Sequence, residues 1–237
     1  MGELEALAKV SGDWKIEGMR EPWARRHAHV HAQGLVNEQY IATSGKGGGK
    51  SKIGEKLDIT SEYFKEFLDH LAQVALVVSQ AAVFTIFSSK SAEGAAWDEF
   101  DSKIIENSFD LLVAGRHRPL EKIFENTEKY LKFGSSREHV RANSLCARKN
   151  LSLSDGGDSL KSIKRDIAAW DVSVASRSMV LAKYCLMEAW DDAEEVFENM
   201  QNNGEISMFQ LATWPILEGL REHMEIDDSE IDAHASH

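Results

Sequence analysis

From Thr60 onward, apolar residues recur at spacings of three and four, and this periodicity is typical of α-helices. The first such segment contains Phe64, Phe67, Leu68, Leu71, Val74, Ala75 and Val78. Thr60 or Ser61 is suited to cap its N-terminus, because a hydroxyl can accept a hydrogen bond from a free backbone N–H. Only three prolines occur in 237 residues, which disfavours a turn-rich β-sandwich. The sequence therefore predicts an all-α fold.

The first 59 residues differ from the rest of the chain. They show little helical periodicity, and the segment TSGKGGGKS at 43–51 is rich in glycine. We predict three regions: an irregular N-terminal segment with a mobile glycine-rich loop at 1–59, a helical domain at 60–226, and a tail of acidic residues and histidines at 227–237. The helical domain is expected to consist of antiparallel hairpins, arranged as a repeat array or as an irregular bundle.

A faint internal repeat supports the array. The segment LEKIFENTEKY at 120–130 aligns with AEEVFENMQNN at 193–203, at an offset of 73 residues. This offset is about twice the length of a helix-turn-helix repeat of roughly 34–40 residues. Asp191 and Glu194 also have the spacing of a capping box, which predicts a helix start at Asp191.

The hairpin around the second copy resembles a tetratricopeptide repeat. Tyr184, Ala193 and Phe197 have the tyrosine–alanine–phenylalanine spacing of that family, over about 25 residues. Arg177 and Leu181 depart from it, since they stand where the family has tryptophan and a small residue. The resemblance implies paired antiparallel helices and an adaptor with a peptide-binding groove.

The net charge of −12 lies almost wholly in the last fifth of the chain. Residues 186–237 contain fourteen acidic residues and one basic residue, Arg221, whereas residues 1–185 carry a net charge of +1. Such an end attracts basic proteins and repels nucleic acids and anionic lipids. We therefore predict a basic protein partner and neither direct nucleic-acid binding nor membrane binding. The candidate binding residues are Glu188, Asp191, Asp192, Glu195, Glu198, Glu218 and Glu222.

In character, a small, acidic, helical chain without catalytic motifs resembles the immunity proteins of bacterial toxin systems. That resemblance implies a non-enzymatic protein that neutralises a toxin, which in many such systems is a basic nuclease. The N-terminus has charged residues where a signal peptide would be apolar, and the apolar stretch at 71–87 falls short of a membrane span. We expect a cytoplasmic protein without a cofactor.

The histidines of the segment HAHVHA support an alternative function. On a strand, His27, His29 and His31 would share one face, where three imidazoles could bind zinc. The resemblance to metal-dependent hydrolases covers only these few residues. We therefore expect no metal site and keep the three histidines as its only candidates.

Arg20 and His27 support a second enzymatic alternative. Their spacing, arginine-x₆-histidine, is similar to that of some helical RNA-cleaving domains, in which the arginine stabilises a phosphate and the histidine transfers a proton. The glycine-rich segment does not match the P-loop spacing, so it predicts no nucleotide site. Cys146 and Cys185 lie on apolar sides of predicted helices, which indicates buried structural thiols.

Overall fold

The computed structural model of the chain describes residues 17–48, 50–89, 94–121, 128 and 131–226. Helices dominate this part of the chain, which contains one isolated antiparallel bridge, Leu35–Lys56, and no β-strand. The predicted all-α class is confirmed. The helices are α1 (Glu17–His31), α2 (Glu38–Thr43), α3 (Ser61–Ser89), α4 (Gly94–Val113), α5 (Gly134–Ser154), α6 (Leu160–Ala168), α7 (Arg177–Met187), α8 (Trp190–Asn202), α9 (Met208–Thr213) and α10 (Glu218–His223).

The chain divides into two compact units, an N-terminal unit, Met1–Ala82, and a C-terminal unit, Val83–His237. The point of division falls within α3, whose start follows the sequence prediction. Thr60 Oγ1 accepts a hydrogen bond from the Tyr63 N–H at 3.1 Å, as expected of an N-cap. The predicted boundary between residues 59 and 60 stays a prediction, and the predicted tail at 227–237 lies outside the described residues.

The N-terminal unit is more helical than its sequence predicts, because α1 and α2 lie within the segment expected to be irregular. The only side chains of α1 in the buried core are Ala24 and Ala28, which pack with Val36, Tyr40 and Leu57. Two alanines give no visible apolar periodicity. Pro22 lies inside α1 and makes the segment look still less helical.

The glycine-rich segment was expected to be a mobile loop, and its mobility stays a prediction, although its first half forms a turn. Gly45–Gly48 form a 3₁₀ turn, in which Gly48 is buried. A Cβ atom on Gly48 would lie 1.8 Å from Ser44 Oγ and 3.2 Å from the Tyr40 ring. The turn therefore packs closely against α2, and glycine is needed at 48 because any side chain would collide with Ser44.

A charged network adds to the small apolar core of the N-terminal unit. The carboxylate of Glu21 accepts hydrogen bonds from Arg25 Nε at 2.7 Å, Tyr40 OH at 2.7 Å and Tyr63 OH at 2.8 Å. The guanidinium of Arg25 also donates to the Asp58 carbonyl at 2.6 Å and lies 4.2 Å from the centre of the Tyr63 ring. The network thus ties α1 to α2 and to the start of α3.

Large apolar side chains form the core of the C-terminal unit. Helix α5 packs against α4, α6 and α7, and α7 packs against α8. Trp170 is fully buried, and its indole N–H donates to Glu138. The other side chains in this core with less than 2% exposure include Leu120, Ile167, Met179, Leu181, Phe197, Met200, Leu211 and Leu217.

Candidate protein-binding surface

Helix α8 presents its carboxylates outward because its apolar residues face the core. Ala193, Phe197 and Met200 recur at spacings of four and three and are buried. Asp191, Asp192, Glu195 and Glu198 occupy the remaining faces of the helix and are exposed. The four candidate binding residues of this helix are therefore solvent-facing, and their role in binding stays a prediction.

The predicted start of α8 was two residues late, and its capping box is absent. The helix begins at Trp190, and its N-cap residue, Ala189, has no side-chain hydrogen bond. Asp191 and Asp192 consequently lie in the first turn, where the helix dipole favours negative charge. This dipole stabilises the two aspartates, but it does not extend to Glu198 in the third turn.

Helix α10 lies against α8 and contributes further carboxylates. The Trp190 ring stacks on His223, with 6.3 Å between ring centres, and covers Gly219, where a Cβ atom would lie 2.5 Å from the indole. His223 Nε2 is 3.6 Å from a carboxylate oxygen of both Asp191 and Glu194. Glycine at 219 therefore lets the two helices approach each other. The exposed carboxylates of α8 and α10, here called the acidic face, are those of Asp191, Asp192, Glu195, Glu198, Glu218 and Glu222.

Most carboxylates of the acidic face have no cation nearby. Within the described residues, five of the six form no ion pair, and only Asp191 lies near a histidine. These five are Asp192, Glu195, Glu198, Glu218 and Glu222. Like charges on neighbouring turns repel one another by a few tenths of a kcal/mol per pair. The acidic face thus retains negative charge that the fold does not neutralise.

Glu188 differs from the other predicted binding residues. Its carboxylate pairs with Lys149 at 2.9 Å and with Lys164 at 2.7 Å, which links the end of α7 to α5 and α6. The hydrogen bonds from Lys164 and Lys149 lower the pKa of Glu188. Lys149 is nearly buried and also donates to the Leu186 carbonyl at 3.0 Å. Glu188 therefore neutralises a buried lysine, in addition to whatever it contributes to binding.

The residues that resemble a tetratricopeptide repeat lie in the α7–α8 hairpin. Ala193 and Phe197 are fully buried and Tyr184 is half-buried, so the three residues serve the packing of this hairpin. The first copy of the internal repeat falls mostly at 122–130, largely outside the described residues. The repeat array stays a prediction.

The three N-terminal histidines lie on a helix, so the strand geometry considered for a metal site was wrong. On α1, His27 and His31 are one turn apart, with 4.4 Å between ring centres, whereas His29 points away from them. No group of three or more histidine, cysteine or carboxylate side chains within the described residues is arranged to hold a metal ion. A helix cannot supply the three-histidine face that the zinc hypothesis required.

Arg20 and His27 are brought together by α1, since seven residues span two helical turns. Both line a cavity of about 360 Å³, together with Met19, Trp23, Ala24, Gln39 and Thr43. His27 Nε2 lies 3.2 Å from Gln39 Oε1, which holds the imidazole toward α2. The spacing noted in the sequence thus places a guanidinium and an imidazole at one site.

The two cysteines are buried, as predicted, and burial raises the pKa of each thiol to about 12. A nucleophilic cysteine needs a lowered pKa, so neither residue is suited to catalysis. None of the helices in the described part of the chain is long and apolar enough to cross a membrane. Comparisons with family models, curated proteins and solved structures found no match to this chain.

Proposed function

We propose that this chain is a non-enzymatic, cytoplasmic protein-binding module whose acidic face binds a basic protein. The observation that carries the proposal is that five carboxylates on α8 and α10 form no ion pair with any residue that the structure describes. Surface charges that a fold does not use for its own ion pairs are available to a partner of opposite sign. A toxin neutralised in the manner of an immunity protein is the partner class that fits this chemistry.

The electrostatics of such a surface favour fast association. A cluster of like charges steers an oppositely charged partner and raises its on-rate, and salt weakens this effect. Glu188 contributes less to this field, because Lys149 and Lys164 neutralise it locally. We therefore assign the principal role to Asp192, Glu195 and Glu198, with Glu218 and Glu222 beside them.

Affinity capture from the native host, with variants as baits, tests this proposal. The test bait carries Asp192→Lys and Glu195→Lys, and the matched control carries Glu62→Lys and Glu66→Lys on the exposed surface of α3. A basic protein retained by the wild type and by the control, but lost from the test bait, would support the proposal. Equal retention by all three baits would refute a binding role for the acidic face.

RNA cleavage is a second candidate function, and it is favoured by the cavity that Arg20 and His27 share. The arginine would bind a phosphate, and the imidazole would transfer a proton. Purified wild-type protein would then cleave single-stranded RNA, and His27→Ala would abolish cleavage while His31→Ala would not. RNA left intact by the wild-type protein removes this candidate.

A further inference from the structure

A second cavity of the N-terminal unit lies between α1 and the start of α3. Its volume is about 340 Å³, which is within the range of small-molecule sites. It shares Trp23 with the cavity of Arg20 and His27, but it opens onto different residues. The cavity is lined by Pro22, Trp23, Arg25, Arg26, His29, Val30, Ile59, Tyr63, Phe64 and Phe67.

Two exposed aromatic rings give this cavity an unusual lining. The side chains of Trp23 and Phe64 are 60% and 52% exposed, so neither of them is part of the buried core. Nucleobases stack on exposed aromatic rings of this kind, and each stacked base contributes roughly 1–3 kcal/mol. The rings therefore favour a flat, aromatic ligand over a flexible aliphatic one.

The charged group of the cavity is an arginine. His29 also lines the cavity, but its Nε2 is shielded from solvent and its ring packs against Gly34, so this nitrogen is not available to a ligand. Arg26 lines the cavity and is exposed, so its guanidinium can reach an anion at the solvent side.

The part of the cavity wall that Arg25 and Tyr63 form is held in place before any ligand binds. Arg25 is fixed by Glu21 and by the Asp58 carbonyl, and its guanidinium lies on the Tyr63 ring. Tyr63 is itself fixed by its hydrogen bond to Glu21 at 2.8 Å. A preformed wall lowers the conformational entropy that the protein must lose when a ligand binds.

We propose that this cavity binds a nucleoside monophosphate, with the base between Trp23 and Phe64 and the phosphate at Arg26. A flat heteroaromatic ring with one anionic group matches the two exposed rings and the single exposed guanidinium. One exposed guanidinium can bind one phosphate, so a free nucleotide is favoured over a nucleic-acid strand.

Isothermal titration of the full chain with AMP and GMP tests the proposal. We expect saturable binding of at least one of them, weakened about tenfold or more by Trp23→Ala and by Arg26→Gln. Phe209→Ala and Lys161→Gln are the matched controls, since both residues are exposed in the C-terminal unit, and they should leave binding unchanged. Adenosine should bind more weakly than AMP, because it lacks the phosphate.

Other outcomes would overturn the proposal. One is the absence of saturable binding of both nucleotides at millimolar concentration, and another is binding that Trp23→Ala leaves intact. Inorganic phosphate that binds as tightly as AMP would show that the rings take no part. A short single-stranded RNA that binds more tightly than either nucleotide would replace the proposed ligand with a nucleic acid.

Discussion

In the N-terminal unit, Glu21 accepts three side-chain hydrogen bonds, whereas on the acidic face of the C-terminal unit Asp192, Glu195 and Glu198 form no ion pair within the described residues. The difference follows from the two cores. Among the described residues, the core of the N-terminal unit contains two alanines, a valine, a leucine and a tyrosine, and the charged network around Glu21 adds to it. The C-terminal unit buries Trp170, Phe197 and many aliphatic side chains, so the carboxylates of its acidic face are not needed for folding. The comparison teaches that a carboxylate can stabilise the fold through hydrogen bonds, as Glu21 does, or remain available to a partner, as those of the acidic face do.

The largest expected effect comes from the apolar core of the C-terminal unit. Phe197→Ala should lower the free energy of unfolding by about 3–5 kcal/mol, because it removes a fully buried ring and leaves a cavity. Chemical denaturation measures this change. Phe209→Ala, at a ring that is 62% exposed, should change it by less than about 0.5 kcal/mol. Similar losses for the two variants would contradict the assignment of Phe197 to the core.

Glu21→Gln should have the next largest effect, a loss of about 2–3 kcal/mol, because hydrogen bonds to a charged group are lost. Burial alone would raise the pKa of Glu21, but the hydrogen bonds from Tyr40, Arg25 and Tyr63 outweigh it, and the pKa falls below its ordinary value of 4.5. Since the folded-state pKa is the lower one, this stabilisation is complete above pH 4.5 and is lost as the pH falls through the folded-state value.

Denaturation at several pH values separates Glu21 from the other carboxylates. The difference between wild type and Glu21→Gln should shrink on acidification below pH 4.5, whereas the exposed control Glu66→Gln should match the wild type throughout. A difference that does not depend on pH would show that the Glu21 charge does not stabilise the fold.

Glu188→Gln is expected to cost about 1 kcal/mol, because its carboxylate is 40% exposed and water screens the pairs with Lys149 and Lys164. The loss should still exceed that of Glu198→Gln, whose carboxylate lies on the acidic face without a partner. Thermal unfolding of both variants measures the difference. Equal melting temperatures of the two variants would show that Glu188 stabilises the fold no more than a carboxylate of the acidic face does.

The sequence predicted best those features that depend on local spacing. The helix after Thr60 and the buried cysteines follow from periodicity and capping chemistry that neighbouring residues carry. Helix α1 was missed because its buried side consists of alanines and because Pro22 lies inside it. The capping box at Asp191 was wrong because the chain already enters the helix at Trp190, where the ring packs on Gly219.

The features that the sequence did not predict depend on contacts between distant residues. Glu21 meets Tyr40 and Tyr63, which lie 19 and 42 residues further along the chain, and no local pattern connects them. The same holds for the pairing of Glu188 with Lys149, across 39 residues, and for the cavity beside Trp23. The sequence reveals the acidic cluster itself. It does not reveal which of these carboxylates form ion pairs within the fold.

The association rate of the captured basic partner, measured by stopped flow from low to high salt, tests the role of the acidic face most directly. Reversal of Asp192 and Glu195 to lysine should slow association about tenfold or more at low salt and flatten its salt dependence. The same variant should lose no more than about 1 kcal/mol of stability, because neither residue has an ion-pair partner within the described residues and only Asp192 interacts with the helix dipole. An association rate that the reversal leaves unchanged at every salt concentration would contradict the account.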